Sequence, residues 1–247
     1  MGSLDRAGRG RARREFFVAP MPALLLLFGL AVIALVFGPQ LWVQGTMRRH
    51  AGERPDFPGT GGELARHLLD EAGLAHVRVE PTAAGDHYDP ADKAVRLSEG
   101  NYSGRSITAV AVAAHEVGHA LQDRDSYRPL RYRQLLVAHA ARIQRLGVAL
   151  MVIAPLMLAV VRSPALALMQ ILAAFAIMGS TVLVHALTLP TELDASFRRA
   201  MPALVRYLPP EDLPAARSVL RAAAWTYVAA ALVSLLDVAR WFRILRP

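Results

Sequence analysis

Four stretches of this chain are too apolar to lie comfortably in water: Ala23 to Val43, Leu146 to Val161, Ala165 to Leu187 and Ala222 to Trp241. About 20 mostly apolar residues suffice to cross a bilayer. Backbone polar groups inside it must be satisfied within the segment, so such stretches fold as helices. The first and third stretches reach that length. The second has 16 residues and contains Pro155, so it reads as a tilted or re-entrant leg of a hairpin with the third. Asp237 interrupts the fourth. The expectation is a mainly α membrane protein with about four transmembrane helices. The first stretch is long for the apolar part of a signal peptide and lacks a small-residue cleavage pattern.

These stretches divide the chain. Residues 1–20 are a basic tail with Arg6, Arg9, Arg11, Arg13 and Arg14, suited to anionic lipid. Residues 21–45 form the first transmembrane helix, 146–187 the transmembrane hairpin, and 222–247 the last transmembrane helix with a second basic tail. Residues 46–145 and 188–221 are the more polar regions between them. The net charge of +8 is carried by arginine at the ends of apolar segments, with Lys93 the single lysine. There is no basic stripe with interleaved aromatics, so nucleic acid is not an expected partner. Cysteine is absent, which excludes disulfides and thiolate-held zinc.

Within the first polar region, a Gly- and Pro-rich linker (Arg48 to Gly62) precedes a short helix ending at Gly73. Val77-Arg78-Val79-Glu80 and Lys93 to Ser98 alternate as strands, separated by a turn at Asp86-His87-Tyr88-Asp89-Pro90. His115-Glu116-Val117-Gly118-His119 follows, in an apolar run that Ser106 can cap. On a helix, His115 and His119 stand one turn apart on one face and can grip a single Zn²⁺, with Glu116 as general base toward water. Gly118 permits another backbone to approach. Ala94 to Leu97 is expected as the edge strand along which an extended substrate pairs.

A catalytic zinc needs a third protein ligand and an open position. Glu192, Asp194, His139, His185 and His87 are the candidates. Glu192 is favoured, because Pro190-Thr191 reads as a helix start that carries it. Asp194 would then steady a histidine through its second ring nitrogen. Tyr88, Tyr102, His185 or an arginine could hold the substrate's developing oxyanion.

Asp86-His87-Tyr88-Asp89-Pro90, Val95-Arg96-Leu97-Ser98, Ala113 to Gln122, Leu189 to Ser196, and Val219 to Ala224 together resemble the YugP-type neutral zinc metallopeptidases. These are bacterial membrane proteins distantly similar to the HtpX group of membrane gluzincins. The resemblance implies a small α+β gluzincin-like zinc-peptidase domain with one catalytic Zn²⁺. His115, His119 and Glu192 would be ligands and Glu116 the base. Ser196 stands where larger gluzincins place an aspartate.

The expected activity is membrane-bound zinc metalloendopeptidase action on membrane-associated or misfolded polypeptide, in the bacterial plasma (inner) membrane. The alternative is a catalytically silent metal-binding membrane adaptor. A transporter, hinted at by Asp237, is a third reading. A crossing hairpin puts the His pair and Glu192 on one side of the bilayer. The arginine distribution points to the outer side, the resemblance to the cytoplasmic one.

Overall fold

The computed structural model describes residues 20–244; the basic tail of residues 1–19 lies outside them. The side chains of His139, His185, Asp237, Arg240 and Arg243 also lie outside the described set. The chain is mostly helical, with one small sheet.

Helix α1 (Pro20–Arg49) is the first apolar segment. Among the described residues it is the one helix long and apolar enough to cross a membrane, over Ala23–Arg49 at mean hydropathy 2.4. Only 6% of its apolar window is buried in the protein, so it is no soluble core helix. Helix α2 (Gly61–Glu71) starts at a reciprocal cap. Thr60 Oγ1 accepts from Glu63 N at 3.2 Å, and Glu63 Oε2 accepts from Thr60 N at 2.7 Å.

Strands β1 (Arg78–Thr82), β2 (His87–Asp89) and β3 (Ala94–Ser98) form a sheet of order β1-β3-β2. β3 pairs parallel with β1 and antiparallel with β2, with Tyr88 opposite Val95. This corrects the expected edge strand. Ala94 to Leu97 is central, because its buried Ala94, Val95 and Leu97 draw it into the core and both of its backbone edges are paired. β1 and β2 are the edge strands, and β2 is the one whose residues reach the cavity described below.

A single turn, α3 (Glu99–Tyr102), leads to α4 (Ile107–Arg124), which carries the H-E-x-x-H sequence. Ser106 Oγ caps α4 by accepting from Ala109 N at 3.0 Å. Nearly every residue of α4 is buried, against α2, the sheet and α8. Small side chains (Ala109, Ala111, Ala113, Ala114) let these neighbours close in from all sides.

Helix α5 (Arg128–Val161) runs unbroken from the polar region through the second apolar stretch, absorbing Pro155. A left-handed Arg162 (φ 51°) turns the chain into α6 (Pro164–Leu193). The two helices pack as a hairpin, pinned by Gln170 Nε2 donating to the Leu150 carbonyl at 2.7 Å. α6 does not end at Pro190. It carries Glu192 on its last turn and then widens into a π-helical segment, Asp194–Ala200. Thus Pro190-Thr191 is not a helix start: the proline lies inside a helix whose hydrogen bonding loosens next to it. After α7 (Met201–Leu204), α8 (Leu213–Ile244) packs against α1 and α6.

Candidate metal centre

α4 and the π-helical segment that follows α6 meet where Gly118 faces Ala195. A Cβ on Gly118 would stand 2.7 Å from the Ala195 carbonyl oxygen, so only glycine admits this approach. The contact brings Glu192 over His115 and His119. One donor atom from each of the three lies within 4.8 Å of the others, and all three side chains are buried. Nε2 of His115 is 3.2 Å and Nε2 of His119 3.3 Å from Glu192 Oε2. A tetrahedral zinc with bonds of about 2.0–2.1 Å holds its ligands about 3.3 Å apart, the same spacing.

The protons show what these contacts are. Ser196 Oγ has one hydrogen, which it donates to the Leu220 carbonyl at 3.1 Å. Its 2.9 Å contact with His115 Nδ1 is therefore accepted from an Nδ1–H. His119 Nδ1–H donates to Gln122 Oε1 at 2.9 Å. The Gln122 amide donates in turn to the Thr191 carbonyl and Asp194 Oδ2, both at 2.8 Å. With Nδ1 committed on each ring, Nε2 is the atom left to face Glu192, and in the neutral imidazole it is the atom that binds a metal. Neither Glu192 oxygen has a hydrogen-bond partner, although both are buried. Two imidazole nitrogens and a buried carboxylate oxygen converge on one point, the donor set a zinc ion takes. The residues fit zinc.

Glu192 is held as an anion. Burial pushes its carboxyl up, but His119, His115 and Arg133 outweigh burial and bring it below the ordinary carboxylate range. Arg133 Nη1 lies 3.0 Å from the other oxygen, Oε1, out of line for a hydrogen bond. Glu116 behaves oppositely. Burial raises it to about 7, with His115 opposing the rise and Glu192 adding to it. It lines a cavity of about 370 Å³ together with the three candidate ligands, Asp86, His87, Tyr88, Arg133 and Tyr227.

Among the described residues, then, the third member of the cluster is Glu192. His87 reaches the cavity but not the cluster, and its Nδ1 lies 2.8 Å from the Gly85 carbonyl. Asp194 does not touch a histidine. It acts on His119 through Gln122, and Arg199 Nε holds it at 2.9 Å. The position next to His115 is taken by Ser196. Tyr88 is committed elsewhere, donating to Asp123 Oδ2 at 2.7 Å. Tyr102 packs at Gly62 of α2, away from the cavity.

The family described as "Putative neutral zinc metallopeptidase" matches residues 24–246. The chain belongs to this family. The neutral zinc metallopeptidase match runs from α1 through α8, so the zinc-like cluster and the apolar helices fall within one family unit. The chain is also 38% identical over 228 residues to "Putative membrane protease YugP" of Bacillus subtilis (strain 168), covering 90% of this chain and 96% of that protein. No solved structure matches. Sequence reading missed Gln122, Arg133 and Tyr227, and left Ser196 without a role. A glutamine three residues beyond a candidate ligand, inside an apolar helix, was the one readable signal.

Proposed function

We propose that this protein is a membrane-bound zinc metalloendopeptidase with His115, His119 and Glu192 as ligands and Glu116 as general base. The observation that carries the reading is the convergence of two Nε2 atoms and a buried carboxylate that lacks a hydrogen bond, beside a buried glutamate that lines a cavity. A zinc ion held there lowers the pKa of water toward 7 and polarises the scissile carbonyl.

Ser196 and the Gln122–Asp194–Arg199 chain fix the two imidazoles so that each Nε2 points inward. Glu116, in a dry site, accepts the proton of the attacking water and returns it to the departing amine. The open edge of β2 borders the cavity at His87 and Tyr88, and an extended peptide lying there adds a strand to the sheet. Such backbone recognition suits polypeptide substrates, membrane-associated or misfolded, and makes no use of nucleic acid.

The membrane assignment rests on α1 and on the resemblance to a protein named a membrane protease. We read α5, α6 and α8 as three further spans in the bacterial plasma membrane. Exposed Trp42, Tyr132 and Trp225, near the cavity-side ends of α1, α5 and α8, suit a membrane interface. The test is zinc content and casein hydrolysis by the detergent-solubilised protein and Glu116→Gln. Zinc retained at one per chain with hydrolysis lost in the variant is the expected result. Equal hydrolysis by both proteins would overturn the assignment.

A further inference from the structure

Arg133 occupies an unusual position. It comes from the first turns of α5, and its side chain is largely buried at the cavity wall. One guanidinium nitrogen stands at Glu192 Oε1, the oxygen that the histidines leave. Another donates to the hydroxyl of Tyr227, from α8, and the guanidinium lies 4.5 Å from the centre of the Tyr227 ring. Two helices, contributing residues 94 positions apart in the sequence, thus deliver a cation and a phenol to the same wall.

A buried arginine beside a candidate metal site needs a reason, since two like charges near each other are unfavourable. The chemistry of the step supplies one. As Glu116 takes the proton of the attacking water, its own negative charge is lost and one develops on the scissile carbonyl oxygen, within the cavity whose wall Arg133 forms. Donors aimed at that oxygen are the strongest single aid to the step. The sequence candidates Tyr88 and Tyr102 do not provide this, for the reasons given above.

We propose that Arg133, oriented by Tyr227, holds the scissile carbonyl oxygen as its charge develops. Arg133 is a catalytic residue, and Tyr227 orients its guanidinium by stacking and by accepting its hydrogen bond. The proposal rests on the peptidase reading, and its test separates the two. Wild type, Arg133→Gln, Arg133→Lys and Tyr227→Phe are compared for bound zinc, for kcat and KM on a casein peptide, and for affinity toward an apolar phosphinic pseudotripeptide. The phosphinate mimics the tetrahedral stage, and the parent peptide is the ground-state control.

For Arg133→Gln the expected result is zinc content and KM near wild type, with kcat down about 100- to 1,000-fold, the loss typical of a removed oxyanion donor. Phosphinate affinity falls in parallel while parent-peptide affinity holds. Arg133→Lys keeps the charge but not the fork, and recovers part of the loss. If Arg133→Gln loses zinc, Tyr227→Phe decides, because it keeps the stacked ring. Its phosphinate affinity is expected to fall with zinc unchanged. Variants that bind the phosphinate as tightly as wild type overturn the carbonyl-holding role alone. A wild type that neither cleaves the peptide nor binds the phosphinate overturns the peptidase reading with it.

Discussion

In the metal-free protein, Glu116 is a buried carboxyl whose ionised form burial disfavours, which ties stability to pH. Its pKa rises on folding from the ordinary 4.5 to about 7. The stability this contributes is fully present below pH 4.5 and is lost as pH rises through 7. Glu116→Gln has no proton to lose. Chelated wild type and chelated variant should therefore melt alike near pH 4.5, with the variant gaining up to about 3 kcal/mol above pH 7 at 1.36 kcal/mol per pKa unit. A melting-temperature difference that stays flat from pH 5 to 8 would show that Glu116 ionises freely in the fold. His115, Glu116 and His119 were legible in the sequence because helical spacing alone sets their geometry. Ser196 and Arg133 were not, because their roles depend on which remote element arrives beside them; of Gln122 only its place one turn from His119 was. Arg133 is one of 27 arginines among the 28 basic residues, and nothing local distinguishes it.

At the scale of elements, the site depends on how closely α4 approaches the π-helical segment after α6. Gly118→Ala puts a methyl against the Ala195 carbonyl, and neither backbone can yield without moving Glu192 or Ser196. The expected outcome is a loss of about 1–3 kcal/mol, the usual range for overpacking. Zinc affinity should also fall at least tenfold, as when a ligand's supporting contact is disturbed. Equilibrium zinc titration against a fluorescent chelator measures it; unchanged affinity would mean that the two helices slide apart freely. The same region explains the misread elements. Proline after an apolar run is an ordinary sign of a new helix, but here α6 is long enough to carry Pro190 within it. The alternation of Lys93 to Ser98 identified a strand, but alternation says nothing about which edge is covered, and β1 covers it.

For the whole molecule, the hairpin of α5 and α6 is the feature on which topology turns. If both legs cross the bilayer, the hairpin tip lies opposite the zinc-like cluster. The chain has no cysteine, so single introduced thiols report position cleanly. Gly52→Cys and Glu211→Cys should react with an impermeant maleimide from one side of the membrane, and Ser163→Cys from the other. Labelling of all three from one face would make the hairpin re-entrant. Apolar length alone gave two helices paired as a hairpin; it could not reveal that Arg133 at the foot of one leg meets Glu192 at the foot of the other. That meeting bears on when the cluster is completed. During synthesis the two histidines emerge first, joined to a glutamate but lacking the carboxylate that closes the cluster. Glu192 arrives only after the whole hairpin has been made and its legs have come together. A ribosome-bound chain that ends before Glu192 therefore holds two members of the cluster and lacks the third, so the site cannot close until α6 is complete and packed against α5.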